Sequence, residues 1–585
     1  MTSPSFTAVA DPADVALVPT LTRPATGPRE LDEMVARLRE GAVTFARLSI
    51  RERIALARSM QAGYLRIAER SVLAGCRAKG IMPGTPLEGE EWVGPWCVVR
   101  HLRLIGESLE AIERTGNTRV GRVDRTADGR LAVQVVPGNA VDGVLFRGIT
   151  VDVHMQEGVT EQSMTAARAG YYRRGAPEER VVLVLGAGNL AMIPVMDVVT
   201  KLFNEGKVCL LKMNPVNAYL GPLLEEAFGS AIAAGFLTVA YGGVDEGAYL
   251  VQHPGVDEIH LTGSDRTYDT LVWGPPGPER DRRRERGAPL IYKPITAELG
   301  NVSPVLVVPG PYTDRELAFQ AEAIAGSVTY NASFNCNSAR MIVTPRGWRG
   351  RAAMLAGIDR VLAATPGRRA YYPGADQRWR GLTRGRASTR LIGTAGEGQL
   401  PWTLLPGLDA TSTSEPAFTS EHFCPVLGET EVGSDDPVEY LERAVDFAND
   451  RLWGTLSATV VVHPSTLKDT RLGPAVERAI GRLRYGAVAV NAWSGMLFSF
   501  ASPPWGAYPG ATLANIQSGT GWVHNTPMLE GIEKAVLRHP VTIMPKPASF
   551  PSHRTVHVMM RKLTALEERS SWARVPGVVA AAMRG

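Results

Sequence analysis

Residues 181–191 read "VVLVLGAGNLA". Five consecutive aliphatic residues that run straight into Gly-Ala-Gly predict a strand buried on both faces and a tight turn at its end, the signature of a covered parallel sheet. The turn fits G-x-G-x-x-A, the alanine-ended dinucleotide fingerprint, in which a helix start faces a pyrophosphate. That reading wants an acidic residue about 20 positions on, at the end of the second strand. Glu205 falls before that strand, and the strand itself, "KVCLLK" (207–212), ends in Lys212. The fingerprint is therefore incomplete, and Asn189 at the strand end needs another reason.

Outward from this stretch the apolar period keeps switching. "PVMDVVTKLFNEG" (194–206) reads as an amphipathic helix stopped by Gly206, and "GPLLEEAFGSAIAAGF" (221–236) as a second helix. "LTVAYGG" (237–243) and "EIHLTGS" (258–264) read as strands flanking a short helix, "GAYLVQHPG" (247–255). Strands alternating with helices build a parallel sheet with helices on both faces. The alternation resumes with "SPVLVVPG" (303–310), the helix 314–330, "RMIVTP" (340–345) and the helix 349–365. The predicted fold class is α/β with two parallel-sheet lobes. Residues 31–115 read as helices covering the first lobe. Residues 366–416 read as long loops rich in Gly, Pro and Arg, and "GPPGPERDRRRERGAPL" (274–290) as a solvated charged loop. The chain end reads as a Pro-rich stretch followed by a helix within 554–573.

Composition excludes several classes. The 585 residues are 44% hydrophobic, enough for two large cores, and 63 basic against 59 acidic residues leave a net charge of +4. Such a balance gives no global attraction to nucleic acid or to an acidic membrane surface. Five irregularly spaced cysteines (Cys76, Cys97, Cys209, Cys336, Cys424) argue against a disulfide framework and for a reducing compartment, and no CxxC pair suggests a metal. The first residues lack a basic n-region, and no run reaches the roughly 18 apolar residues of a membrane helix. These features predict a cytoplasmic protein with a loose tail over residues 1–30 and no membrane span.

Five short patterns then follow in order: "GNLAMIPVMD" with "LLKMNP", in which Lys212 lies 23 residues after Asn189; "IHLTGS" (259–264); "AELGNVSPVLV" (297–307); "NCNSAR" (335–340); and "EHFCPVLGETEV" (421–432). Their order and spacing resemble the NAD(P)-dependent aldehyde dehydrogenase superfamily over roughly residues 120–530. The resemblance implies a cofactor domain over 31–299 with an oligomerisation excursion near 140–178, a catalytic domain over 300–500, and a C-terminal segment 501–585 available for oligomerisation. It implies a homodimer or homotetramer acting on a small aldehyde.

The chemistry of the residues agrees. A flat carbonyl is a poor hydride donor until a nucleophile makes it tetrahedral, and a thiolate does this well. Cys336, with polar flanks that argue against deep apolar burial, is the candidate nucleophile. Cys97 and Cys209 read as core, and Cys424 as structural. By resemblance Asn189 is an oxyanion donor, Glu298 the general base that activates water against a thioester, and Lys212, Gly263, Ser264, Glu421 and Phe423 hold the cofactor. Tyr268 stands where the family has the second glycine of GSxxxG, and Asn301-Val302 stand where it has Gly-Lys. Pro215 replaces the glutamate that binds the adenosine 2′-hydroxyl in NAD-preferring members, so NADP is permitted and mildly favoured. Two other functions fit the same patterns: an NADPH-dependent acyl-thioester (acyl-CoA) reductase, and a catalytically silent protein of this fold.

Overall fold

A computed structural model describes residues 23–173 and 178–585. Residues 1–22 of the expected tail lie outside it. The chain is already held by residue 26, where the Thr26 N–H donates to the Tyr241 carbonyl at 3.1 Å, and the helix Pro28–Ala46 begins two residues later.

Three helices form the expected cover. Pro28–Ala46 lies on the cofactor-side sheet, while Ile50–Lys79 and Glu88–Thr115 pack along each other. Ile50–Lys79 starts in a capping box, Ser49 with Glu52, and stops at Gly80 in the left-handed region (φ 67°). Close approach to the next layer depends on Gly63, where a Cβ would lie 1.8 Å from the Ala227 carbonyl oxygen.

Among the described residues the smaller of the two large sheets has six strands in the order 519–520, 295–299, 258–263, 181–185, 208–212, 237–240. The last five are parallel. The chain leaves Val181–Leu185 toward one edge and later returns to its other side, so a topological switch point lies between the ends of Val181–Leu185 and Glu258–Gly263. Ligands of open α/β sheets bind at the carboxyl edge at such a point. The second sheet has eleven strands, and seven of them, from 532–538 across to 402–408, run parallel. Gly300–Val302 is the crossing between the two sheets, joining Ile295–Leu299 to Ser303–Val307.

Four local expectations change. The helix after residue 193 is not amphipathic: every residue of Ile193–Val199 is buried, because the sheet covers one side and the helix Glu88–Thr115 with the strand 523–524 the other, and it unwinds into a π-helical turn at Thr200–Asn204. The helix predicted over 221–236 breaks at Phe228 into Gly221–Ala227 and Gly229–Ala233. Residues 366–416 hold a helix, Ala375–Thr383, and the strands Arg390–Ile392 and Trp402–Leu408. The charged insertion is a helix, Pro278–Arg286, with none of its residues buried. Pro at its start, acidic residues in the first turn, basic residues in the last and the Glu279–Arg283 pair at 3.2 Å stabilise it locally. It remains solvated, as expected. No helix among the described residues is long and apolar enough to cross a membrane.

Candidate active site

The carboxyl edge of the six-stranded sheet faces the amino edge of the eleven-stranded one. Asn189, Lys212, Gly263 and Glu298 sit at or just after strand ends of the first sheet, while Cys336 and Glu421–Phe423 immediately precede strands 339–345 and 426–432 of the second. The topology therefore brings together residues far apart in sequence.

Cys336 rides on a strained turn. After the helix Asp314–Thr329 three successive non-glycine residues, Asn331, Ala332 and Ser333, adopt φ of 52°, 53° and 72°. Each such residue costs on the order of 1–3 kcal/mol and persists only where its surroundings over-determine it. Here Arg340 donates to the Ser333 carbonyl (2.6 Å), the Ser333 hydroxyl (2.7 Å) and the Cys424 carbonyl (2.7 Å). The Asn331 N–H donates to Glu90 (3.1 Å), and its side-chain oxygen accepts from Lys79 (3.0 Å) and Tyr371 (2.9 Å). Lys79 in turn pairs with Glu91 at 2.8 Å, and Arg368 with Glu90 at 3.0 Å. None of these supports was assigned a role from sequence. Arg340 ends the quoted "NCNSAR", but Lys79, Glu90, Arg368 and Tyr371 sit in no motif and reach the turn only through tertiary contacts.

The polar flanks act differently from the expectation. Asn335, Asn337 and Ser338 are buried, and Asn335 donates to the Tyr330 carbonyl at 2.9 Å. Asn335 anchors the turn, while Cys336 itself is partly exposed and opens on an apolar cavity of about 400 Å³. The other four cysteines are buried.

Two carboxyl groups flank the thiol. Glu298 is 4% exposed, and burial, reinforced by Asp197, pushes its pKa up to about 8; Trp505 and Cys336 face it and pull the other way. Burial likewise pushes Glu421 up to about 8 against the pull of Arg340 and Arg378, with Asp265 and Glu298 adding repulsion. The crossing segment runs directly past Glu421: a Cβ on Gly300 would lie 1.8 Å from its Oε1. Burial first, then Glu298 and Glu421, push the Cys336 thiol well above its ordinary value. The resting sulfur is thus a thiol.

Asn189 ties the first sheet to the cysteine turn. Its side-chain amide donates to the Phe334 carbonyl at 2.9 Å, and its own carbonyl accepts from Asn331 (3.1 Å) and Tyr371 (2.8 Å). Ser264 accepts from the Thr267 N–H at 3.2 Å and so caps the helix Asp265–Trp273. The Tyr268 ring is buried, and its hydroxyl donates to the Leu513 carbonyl at 3.4 Å. Phe423, with φ 38°, meets Tyr372 edge-to-face at 4.9 Å and lies tilted 5.8 Å from Phe334.

Three groups here lack partners. Among the described residues the buried Lys212 ammonium makes no hydrogen bond or ion pair, and burial lowers its pKa to about 8. The Oε1 atoms of Glu298 and Glu421 are likewise buried without a hydrogen-bond partner. Unpaired buried polar groups are costly, so their presence at a switch point marks a place for a polar ligand. One cation and one carboxylate at separate strand ends suit the ribose hydroxyls of a dinucleotide.

No protein-family profile matches the chain. Among solved structures, an NADP-dependent glyceraldehyde-3-phosphate dehydrogenase from Bacillus halodurans C-125, complexed with NADP, superposes with a TM-score of 0.58 at 17% identity over 88% of this chain and 91% of that one. An NAD-dependent aldehyde dehydrogenase from Sinorhizobium meliloti gives 0.56 at 20% identity, covering 88% of each chain. The chain has the aldehyde dehydrogenase fold. A cysteine-to-alanine variant of a Pseudomonas syringae aldehyde dehydrogenase, complexed with NAD⁺ and octanal, shares that fold with a TM-score of 0.57 at 16% identity, over 87% of this chain and 89% of that one. The aldehyde dehydrogenase fold accounts for the crossing at Gly300–Val302 and for the meeting of opposite sheet edges around Cys336.

Proposed function

We propose that the protein oxidises an aldehyde to a carboxylic acid with NAD(P). The single observation that carries this reading is the meeting of a partly exposed thiol, Cys336, and a buried carboxyl, Glu298, beside the unpartnered Lys212 and Glu421 at a switch point. Lys212 and Glu421 would hold the two riboses, Gly263 and Ser264 the pyrophosphate end, and Phe423 would pack beside the nicotinamide ribose. When bound, the oxidised nicotinamide supplies a hydride acceptor.

The chain's own residues do the rest. Cys336 releases its thiol proton to solvent water and, as the thiolate, adds to the carbonyl carbon to give a tetrahedral thiohemiacetal with an anionic oxygen. The Cys336 N–H and the Asn189 amide are the donors for that oxygen, with Asn189 exchanging its bond to the Phe334 carbonyl for one to the developing charge. Once hydride has left, the thioester on Cys336 is hydrolysed by water that Glu298 deprotonates. Glu298 is neutral below about pH 8, which spares the thiolate one repulsive charge, and ionised above it, when it can act as base. Pro215 offers no carboxylate to repel a 2′-phosphate, which supports use of NADP as well as NAD.

The test is cofactor reduction by a panel of aldehydes with NAD and NADP, with and without coenzyme A. The expected result is turnover independent of coenzyme A, with NADP accepted at least as well as NAD. Turnover only with coenzyme A would make the protein an acylating enzyme, and no turnover with any aldehyde would refute the reading.

A further inference from the structure

From the wall of the cavity that opens on Cys336, we infer that the substrate is an aldehyde with a long, flexible aliphatic chain; this rests on the reading of Cys336 as nucleophile. The cavity, about 400 Å³, is of the size that takes up a whole small ligand. Its lining among the described residues includes no Asp or Glu, and apolar side chains dominate it, several of them methionines. Close-packed interiors do not keep apolar space of this size without loss of stability, so a ligand that fills it is the natural reason for it. Methionine suits that ligand, because its unbranched thioether adapts to a chain with many rotamers.

The wall is made by the chain's last helices. Met560 and Leu563 from Val556–Glu568, and Val578 and Ala582 from Val575–Met583, line the cavity together with Trp96 and Phe146. This wall is built in. Glu567 accepts from Arg100 (2.9 Å), Arg103 (2.7 Å) and Trp96 (3.2 Å), and Arg100 also pairs with Asp142 at 2.7 Å, so a buried ion cluster fastens the first helix to Glu88–Thr115. The Thr555 hydroxyl donates to the Ala581 carbonyl at 2.7 Å and ties the second helix to the first.

The rim of the cavity bears on the length. Val144, Met544, Val579 and Met583 are lining residues that are nevertheless 50%, 58%, 39% and 54% exposed, so the apolar lining that includes the partly exposed Cys336 also includes an open rim. Such a patch on a soluble surface marks an interaction site. A short aldehyde would reach Cys336 and leave most of this surface wet, whereas a long chain covers it. Among the described residues the charged side chains of the lining, Arg147 and Lys546, are both cations, with Arg147 exposed. An amine-bearing chain would meet these cations along the lining away from the thiol.

The experiment measures kcat/KM for unbranched aldehydes of three to fourteen carbons. We expect a rise of up to about fourfold per methylene, roughly 0.8 kcal/mol, for each methylene fully taken out of water; three to four such methylenes already make dodecanal exceed propanal by about a hundredfold, and that is the minimum expected. Val579→Trp and Met583→Trp, both at the exposed rim where folding tolerates bulk, should each lower the dodecanal-to-propanal ratio at least tenfold. Binding is read separately in the Cys336→Ala variant as energy transfer from tryptophan to cis-parinaric acid, displaced by dodecanoate. A flat or falling series with working short aldehydes overturns this inference and leaves the reaction standing. Parinaric acid bound and displaced, with no aldehyde oxidised, supports the aliphatic site and refutes the reaction. Neither binding nor turnover overturns both.

Discussion

The two sides of Cys336 are built from different material. On one side lie Lys212, whose ammonium has no partner among the described residues, and Glu298 and Glu421, whose Oε1 atoms have none, each group displaced from its ordinary pKa by burial. On the other lies an apolar cavity whose wall is tied down by a fully partnered ion cluster around Glu567. The first side keeps unpaired polar atoms, a cost that a polar ligand offsets, and the second presents apolar surface that an apolar ligand covers. The polar side is fixed by sheet register and leaves little room to vary. The apolar side comes in large part from the helix Glu88–Thr115 and the helices after residue 555, so it can change with the substrate while the chemistry stays in place.

The comparison breaks most sharply at its centre. Cys336→Ala should lower turnover by about 10⁴-fold or more, because it removes the only group that can hold the acyl intermediate, while dinucleotide binding by titration stays within a few-fold. Cys424→Ala should keep turnover within about tenfold, since that sulfur is buried in the core beneath the turn. The opposite pair of results would move the nucleophile to Cys424. A step smaller is Glu298→Gln on the polar side. The steady-state rate should fall by about 10²- to 10⁴-fold, the usual range for lost general-base assistance, after a burst of one equivalent of reduced cofactor per site. The burst survives because hydride transfer precedes the hydrolysis that Glu298 serves. In the unchanged protein the same rate should rise with pH through about 8, as the Glu298 carboxylate forms. Unchanged turnover in the variant would leave Glu298 a structural carboxyl.

The same division explains what the sequence disclosed. Three of the strands of the six-stranded sheet are short apolar runs, so Asn189, Lys212 and Gly263 could be placed at or near strand ends from periodicity, whereas Glu298 was placed by the family resemblance. The structure sets them there, along with Cys336 and Glu421 at the facing edge. The supports were illegible because they act at a distance: Lys79, Glu90 and Arg368 come from helices and a loop up to 252 positions from the turn they hold, as in the Lys79–Asn331 bond. The buried helix Ile193–Val199 was misread as amphipathic because Asp197 suggests a wet face. In the fold that carboxylate accepts from Thr262 at 2.8 Å inside the core. The region 366–416 hid a helix and two strands because glycine, proline and arginine dominate its composition and mask short periodic runs. The cavity was unreadable from one sequence, because its lining joins residues from helix 88–115, the loop near 146 and the last forty residues.

The smallest effect concerns stability, and it isolates the polar side from the rest of the molecule. Glu298 and Glu421 have folded pKa values of about 8, above the ordinary carboxylate range, so between roughly pH 4.5 and 8 the folded state holds protons that the unfolded chain has released. By linkage their stabilisation is fully present below the unfolded value and is lost as pH rises through the folded one, at up to about 1.4 kcal/mol per pH unit for each group. The buried histidines work in the opposite direction. His101, His154 and His422 are pushed down by burial to about 3, 4 and 4, so they favour the folded state increasingly as pH rises, but only up to the ordinary histidine value near 6.5. Lys212, lowered to about 8, is charged in both states below that pH and contributes slope only above it. The window from pH 6.5 to 8 therefore reads the two carboxyls with the least interference. Thermal midpoints of the cofactor-free protein should fall across that window. Glu298→Gln and Glu421→Gln should each remove about half of the slope, and the double variant nearly all of it. A midpoint that stays level in the unchanged protein would mean that these carboxyls are already ionised at neutral pH, and that the polar side of Cys336 holds its charge without a ligand.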